Sequence, residues 1–364
     1  MAGGVPRGLA AAWPLAAPLA AIAILAAAIA APPGGAVVAV VALALVAATV
    51  ASVHHAELIA LRLGEPFGTL VLALAVTAIE VSLIVSMMLA GGADASKLAR
   101  DTIYATVMIV SSGVVGLCIL LGALRHREQS FRIEGAGPAM AALATLAVLS
   151  LILPNTTTSA PGPRYSDPQL VFVAVASLAL WCAFVFFQTV RHRDYFLPVG
   201  PAADEDRHAA RPSAGRAWAS FALLLVSLVA VVGLAKVLSP SLEALVHAAG
   251  APLSVIGIAI ALLVLMPETV AAVRAALANR LQTSINLAVG SGLATIGLTV
   301  PAVVAVCIVL DLDLVLGLPP KETVLLALAI AINAYSIGSS RTNMMQGAVQ
   351  LVVFAAFLFL SFVP

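Results

Sequence analysis

Charged residues are scarce in this sequence, and their scarcity excludes several classes of protein. Asp, Glu, Lys and Arg make up 10% of the chain, whereas an average soluble domain carries about 25%. The formal net charge is +1 and no large basic cluster is present, so nothing in the sequence would attract nucleic acid. The His-Glu-x-x-His motif of zinc proteases is absent. We therefore expect neither an enzyme nor a nucleic-acid-binding protein.

Cysteine is also rare. The three cysteines, Cys118, Cys182 and Cys307, all fall within apolar runs. A cysteine in such a run behaves as a small apolar residue, and their spacing matches neither a disulfide framework nor a metal site. We expect no disulfide and no resident metal or other cofactor.

Hydrophobic residues are abundant instead, at 62% of the chain with a mean hydropathy of +1.11. A membrane-spanning helix needs about 20 apolar residues, and long runs of this kind recur throughout. They predict an all-α polytopic protein of the lipid bilayer with about 11 transmembrane helices. The predicted spans are residues 14–31, 35–53, 66–90, 101–124, 137–153, 168–190, 217–238, 252–273, 283–310, 322–337 and 344–363.

The first span has two interpretations. Arg7 followed by an apolar run from Leu15 to Ala31 is typical of a secretory signal peptide. The run is long for a signal peptide and many spans follow it, so we favour an uncleaved first helix.

The distribution of basic residues predicts the orientation in the membrane. If the spans alternate, 13 of the 18 Lys and Arg residues fall on the side of the N-terminus. Basic residues accumulate in cytoplasmic loops. We expect a protein of the bacterial cell membrane, with its N-terminus in the cytoplasm and its C-terminus outside.

Two glutamates lie inside predicted spans. Glu80 is the one charged residue between Pro66 and Leu89, and Glu268 is the one charged residue between Pro252 and Val273. An ionised side chain at the centre of a bilayer costs about 3 kcal/mol or more, and such residues usually mark an ion pathway. The two acids are therefore the first candidates for a binding site.

Their positions suggest an internal duplication. After the first helix (residues 1–33), five spans occupy residues 34–190 and five occupy residues 217–364, on either side of a charged linker at 191–216. Because five is odd, the second half starts on the opposite side of the membrane, which predicts two inverted repeats of the kind found in secondary transporters. The acid triplet Asp204-Glu205-Asp206 in the linker is either solvated or a low-affinity site for a regulatory cation.

Polar residues surround each acid at helical spacing. Thr77 lies on the same face as Glu80, and Gln282 and Asn286 share a face on a later helix. Pro267 and the Gly290-Ser291-Gly292 cluster leave two interpretations open. They either kink and pack helices, or they break the helix at Pro267, Gly290 and Gly292 and expose carbonyl oxygens to a cation.

Several longer segments carry a family resemblance. They are Gly64 to Leu70 and Ile79 to Ile84 in the first half, and Pro267-Glu268, Arg274 to Ala276, Asn279, Leu281-Gln282, Asn286 to Ala288, Gly290-Ser291 and Ile296 to Pro301 in the second. These segments resemble the bacterial calcium/proton antiporters of the ChaA type, in the cation/proton exchanger branch of the calcium/cation antiporter superfamily. The similarity extends over nearly the whole chain.

The resemblance implies that Glu80 and Glu268 bind the cation and protons in turn. It also implies supporting oxygen atoms on the polar helices that follow each acid, here from Thr106, Ser111, Ser112, Asn286 and Ser291. Bacterial members of this type include Na⁺/H⁺ and K⁺/H⁺ exchangers, so the resemblance leaves the cation open.

The chemistry of two acids favours exchange. Ca²⁺ takes about six to eight oxygen ligands, and two glutamates neutralise its charge. Without the cation, two ionised carboxylates would repel each other, so protons take its place. The sequence therefore predicts Ca²⁺/H⁺ antiport by alternating access. Antiport of Na⁺ or K⁺ by the same fold and a passive cation channel are the alternatives, and the inverted repeat favours a carrier over a channel.

Overall fold

The structure, a computed structural model, describes residues 7–30, 35–64, 67–90, 95–196, 212–248, 250, 252 and 254–363. The acid triplet Asp204-Glu205-Asp206 lies outside these residues. The described chain is almost entirely helical. A helix satisfies its backbone hydrogen bonds within its own segment, which is what a lipid environment demands.

The described chain contains 13 α-helices: α1 (Arg7–Ala30), α2 (Ala36–Leu63), α3 (Phe67–Ala90), α4 (Leu98–Met108), α5 (Val115–His126), α6 (Ile133–Ala147), α7 (Asp167–Phe186), α8 (Ala214–Ala248), α9 (Ser254–Leu277), α10 (Leu281–Ala294), α11 (Val300–Leu310), α12 (Pro320–Gly338) and α13 (Met344–Phe362). Two short strands, β1 (Gln129–Ser130) and β2 (Arg341–Thr342), pair antiparallel.

The predicted spans agree with these helices. Among the described residues, ten helical segments are long and apolar enough to cross a membrane, and α3 contains a shorter apolar stretch, Ala73–Leu89. The multi-pass, all-α architecture is therefore confirmed. Two helices extend well beyond the predicted ends of their spans: α2 continues to Leu63 rather than ending at residue 53, and α8 continues through Pro240 to Ala248 rather than ending at residue 238. A proline removes one backbone donor from a helix, and here the helix continues beyond it.

The chain separates into two compact units, and the first contains α1 to α3 and most of α8. In α1, Pro18 has no N–H to donate to the carbonyl of Pro14, four residues earlier. The Nε2 atom of His55 in α2 lies 2.9 Å from that carbonyl oxygen instead. The side chain of Leu25 in α1 packs against Gly233 of α8. Both contacts tie α1 into this unit.

The second unit contains α4 to α7, α9 to α13 and both strands. Glycines allow its helices to approach closely, as is common in membranes. A Cβ atom added to Gly116 of α5 would lie 2.9 Å from the Cβ atom of Gln350 in α13. A Cβ atom added to Gly257 of α9 would lie 2.9 Å from the carbonyl carbon of Asp101 in α4.

Wider turns interrupt several helices of the second unit. In the described residues these π-helical segments are Ile109–Val114, Val148–Ile152, Phe187–Arg191 and Thr295–Thr299. The first joins α4 to α5 and the last joins α10 to α11, so each lies within one continuous membrane-spanning segment. Single π-helical turns inside α-helices often occur at functional sites, and these two lie in the helices that carry predicted ligands.

Candidate functional site

The first predicted acid is deeply buried. Glu80 lies in α3 of the first unit and is 1% exposed, and Thr77, one turn earlier, is 7% exposed. The flanking side chains Ile79, Leu83 and Ile84 are buried and apolar. Transfer of a carboxyl group from water into such surroundings is costly unless a partner matches it. Glu80 therefore stays the candidate acid of the first unit.

The second predicted acid lies in the second unit. Glu268 is half-buried in α9, a helix that packs against α4, α5 and α10. The hydroxyl of the next residue, Thr269, donates to the carbonyl of Leu265 at 2.7 Å. That bond keeps the Thr269 hydroxyl within its own helix.

The predicted helix breaks are wrong in this structure. α9 runs without interruption from Ser254 through Pro267 to Leu277, and α10 runs through Gly290 and Gly292 to Ala294. Gly292 serves packing: a Cβ atom there would lie 3.2 Å from the Val110 side chain. The departure from α-helical geometry comes later, at Thr295–Thr299.

The predicted hydroxyl ligands of the first polar helix are all buried. Thr106 in α4 is 1% exposed, and Ser111 and Ser112 in the Ile109–Val114 segment are 3% and 1% exposed. The Ser111 hydroxyl donates to the carbonyl of Val107 at 2.6 Å. Among the described residues, the Ser112 hydroxyl has no hydrogen-bond partner. Of these three residues, Ser112 is therefore the candidate whose buried hydroxyl could contact an ion.

The predicted amide ligands of α10 are joined to each other. The Gln282 amide donates to the Asn286 side-chain oxygen at 2.9 Å, as expected for residues one turn apart. The Asn286 amide donates to the carbonyl of Phe196 at 2.7 Å. The backbone N–H of Arg132 donates to the Gln282 side-chain oxygen at 2.6 Å. Both amides are therefore anchored to segments outside α10.

The remaining predicted ligand, Ser291, is half-buried in α10. Its neighbour Gly292 contacts Val110 of the Ile109–Val114 segment, so α10 passes next to the serine pair of that segment. The second unit thus brings together the helices that carry Thr106, Ser111, Ser112, Ser291 and the two amides. Thr77 and Glu80 belong to the first unit.

Sequence reasoning missed the polar contacts at one end of the second unit. The Gln129 amide donates to the carbonyl of Ala276 at 2.9 Å and to the Asn279 side-chain oxygen at 3.0 Å. The Nε2 atom of His126 lies 2.9 Å from the carbonyl oxygen of Leu277. These contacts tie the segment after α5 to the turn between α9 and α10. The only signal in the sequence is the concentration of polar residues in both loops.

Comparison with known proteins places these features in a family. The sequence model described as "Sodium/calcium exchanger protein" matches residues 34–190 and 219–363. The chain belongs to the sodium/calcium exchanger family. It is thus a membrane cation exchanger, and the expected family resemblance is confirmed.

Individual relatives agree with this assignment. A protein of Sinorhizobium fredii named as an ionic transporter, y4hA, is 47% identical over 88% of this chain and 87% of its own length. The sodium-potassium/proton antiporter ChaA of Escherichia coli is 37% identical over 84% of this chain and 83% of its own length. Among solved structures, native YfkE superposes with a TM-score of 0.73 at 16% identity, over 96% of this chain and 100% of that chain. That last similarity shows a common fold.

Proposed function

We propose that this protein is a proton-coupled secondary antiporter that exchanges Ca²⁺ for H⁺ by alternating access, with Glu80 and Glu268 as the groups that bind cation and protons in turn. The observation that carries the proposal is the presence of one glutamate in each unit within an apolar helix, Glu80 being 1% exposed. The order of features along the sequence, with one acid in the corresponding span of each half, supports the proposal that both acids serve one binding site.

The coupling follows from charge. A Ca²⁺ ion neutralises two carboxylates, and so do two protons, whereas the ionised pair without either is electrostatically costly in a low dielectric. The return of the empty, ionised carrier is therefore unfavourable. Thr106, Ser111, Ser112, Asn286 and Ser291 are proposed to supply further oxygen atoms, because Ca²⁺ needs more ligands than two carboxylates provide.

A monovalent cation is the second candidate substrate. The Escherichia coli relative, named a sodium-potassium/proton antiporter, is 37% identical, whereas a relative from Aphanothece halophytica named a Ca²⁺/H⁺ antiporter is 26% identical. The higher sequence identity to the Escherichia coli relative therefore favours Na⁺ or K⁺ as the transported cation, whereas the presence of two acids favours Ca²⁺. Purified protein in liposomes, challenged separately with Ca²⁺, Na⁺ and K⁺ while a dye reports internal pH, separates the two.

The same assay tests the proposed acids. Glu80→Gln and Glu268→Gln should each abolish cation-driven proton movement, because either change removes one of the two charges that the cation must match. Glu128→Gln is the matched control, since the Glu128 side chain is 65% exposed. Near-normal exchange by either buried-acid variant would refute the proposal, as would equal loss in the control.

The arrangement of repeats and the orientation are also part of the proposal. We propose one additional N-terminal helix (residues 1–33), two inverted five-helix repeats (34–190 and 217–364) and a linker (191–216), with the N-terminus in the cytoplasm. The match of the family model to two separate stretches, 34–190 and 219–363, supports the repeat boundaries. The basic residues of the loops support the orientation.

A further inference from the structure

A small polar cavity lies in the second unit where four helix termini meet. Its volume is about 90 Å³, and its polar lining comes from Arg100, Asp101, Tyr104, Ser254, Glu322 and Ser361. Arg100 and Asp101 lie in the first turn of α4 and Tyr104 in its second turn. The other three residues lie in the first turns of α9 and α12 and in the last turn of α13. The cavity is therefore at one end of the helices rather than at mid-depth. Under the proposed orientation, this end faces the outside of the cell.

Two oxygen atoms in this cavity have no hydrogen-bond partner among the described residues. One is the hydroxyl of Tyr104, a residue that is 5% exposed, and the other is Oε2 of Glu322. The Tyr104 ring packs edge-on against Phe357 at 5.3 Å between centroids, which holds the ring in place. A buried polar atom without a partner is expected to bind water or a ligand. A cavity of this volume has room for about three water molecules, at roughly 30 Å³ each.

The surrounding charges argue against a metal ion in this cavity. Asp101 is held by Arg100, with both Nε and Nη2 of the arginine 2.7 Å from Asp101 Oδ1. The Lys321 ammonium lies 3.4 Å from Glu322 Oε1. The positive charge of Lys97, which directly precedes α4, also acts on Asp101. Each acid is thus already matched by a cation. The open oxygen atoms suit water molecules instead.

The geometry points to a proton-entry site: a short chain of water molecules in this cavity carries protons inward, and Glu322 Oε2 and the Tyr104 hydroxyl are the hydrogen-bonding partners that position it. In each transfer a hydronium ion donates one proton along a hydrogen bond to the next water molecule inward and is left as neutral water. From Tyr104, α4 continues to Thr106 and leads into the Ile109–Val114 segment with its Ser111-Ser112 pair, so the cavity opens at the start of a membrane-spanning segment that carries proposed cation ligands. This inference rests on the proposed antiport function.

The test compares two transport modes of the same protein in liposomes. The first is proton-coupled exchange at alkaline pH on the cavity side, where proton supply limits the rate. The second is isotope self-exchange of whichever cation the wild type carries, which requires no proton. A positioned proton-transfer group typically contributes about 100-fold or more. Because water still enters the cavity, we expect Glu322→Gln and Tyr104→Phe to slow the first mode by about tenfold and leave the second unchanged.

The controls separate this inference from the proposed function. Tyr104→Phe retains the ring that packs on Phe357 and removes only the hydroxyl, and Asp313→Asn alters an acid outside the cavity whose side chain is 74% exposed. Unchanged proton-coupled exchange in both cavity variants would overturn the inference, and so would equal loss of both transport modes. A wild-type protein that shows self-exchange without proton coupling would overturn the antiport function itself.

Discussion

The close contact between α4 and α9 gives a sharp prediction for Gly257→Ala. The added carbon would lie 2.9 Å from both the carbonyl carbon of Asp101 and the backbone nitrogen of Thr102. Ordinary carbon contacts are about 3.5–4.0 Å, so the two helices must separate by roughly 0.6–1 Å. Overpacking of this kind costs about 1–3 kcal/mol. The higher helix propensity of alanine returns about 1 kcal/mol.

The net expectation is a loss of about 1 kcal/mol of stability, which lowers Tm by about 2 °C in a chain of this size. A second glycine, Gly290 in α10, provides the control, because a Cβ atom added there meets no heavy atom of the described residues within 4 Å. Gly290→Ala should therefore keep or raise Tm. Thermal melts of both variants in the same detergent decide the matter. If Gly257→Ala melts at or above the temperature of Gly290→Ala, the described contact between α4 and α9 is incorrect.

Three further predictions follow from named contacts. Gln282→Leu leaves the Arg132 N–H without its acceptor, which should cost about 1–3 kcal/mol and lower Tm in detergent; an unchanged Tm would contradict the anchor. Burial raises the pKa of the Tyr165 phenol to about 12, above its usual value of about 10. The contribution of Tyr165 to the free energy of unfolding is therefore fully present below about pH 10 and is lost as pH rises towards 12. Tyr165→Phe should flatten that decline in melts at several pH values, and an identical decline would refute the assignment. In a cysteine-free background, a membrane-impermeant thiol reagent added to whole cells should label Asp313→Cys and not Glu128→Cys; the reverse pattern would invert the proposed orientation.

The membrane-spanning segments and the candidate acids could be predicted from sequence because both depend on the composition of single segments. A helix surrounded by lipid must be apolar along its length, so Glu80 and Glu268 are conspicuous within their runs. The (i, i+4) pairing of Gln282 and Asn286 is also local and is confirmed by the 2.9 Å hydrogen bond between them.

Features that depend on distant partners could not be predicted. The acceptor of the Asn286 amide is the carbonyl of Phe196, 90 residues away in the chain, and no local pattern indicates it. The interpretation of Gly292 as a helix break, one of the two that the sequence left open, failed for the same reason. A glycine that serves close packing and one that interrupts a helix look identical until the opposing helix, here through Val110, is known.

The hydrogen bonds of the second unit divide its proposed ligands into two roles. The Gln282 oxygen accepts from Arg132 and its amide donates to Asn286, so this side chain is occupied at both ends. Ser112 is equally buried at 1% exposure, yet no described residue accepts from or donates to its hydroxyl. A cation or proton site needs oxygen atoms with free lone pairs, because each ligand must replace water around the ion. We therefore propose direct contact with the transported ion for Ser112 and the positioning of Asn286 for Gln282, since the Asn286 oxygen retains a second lone pair.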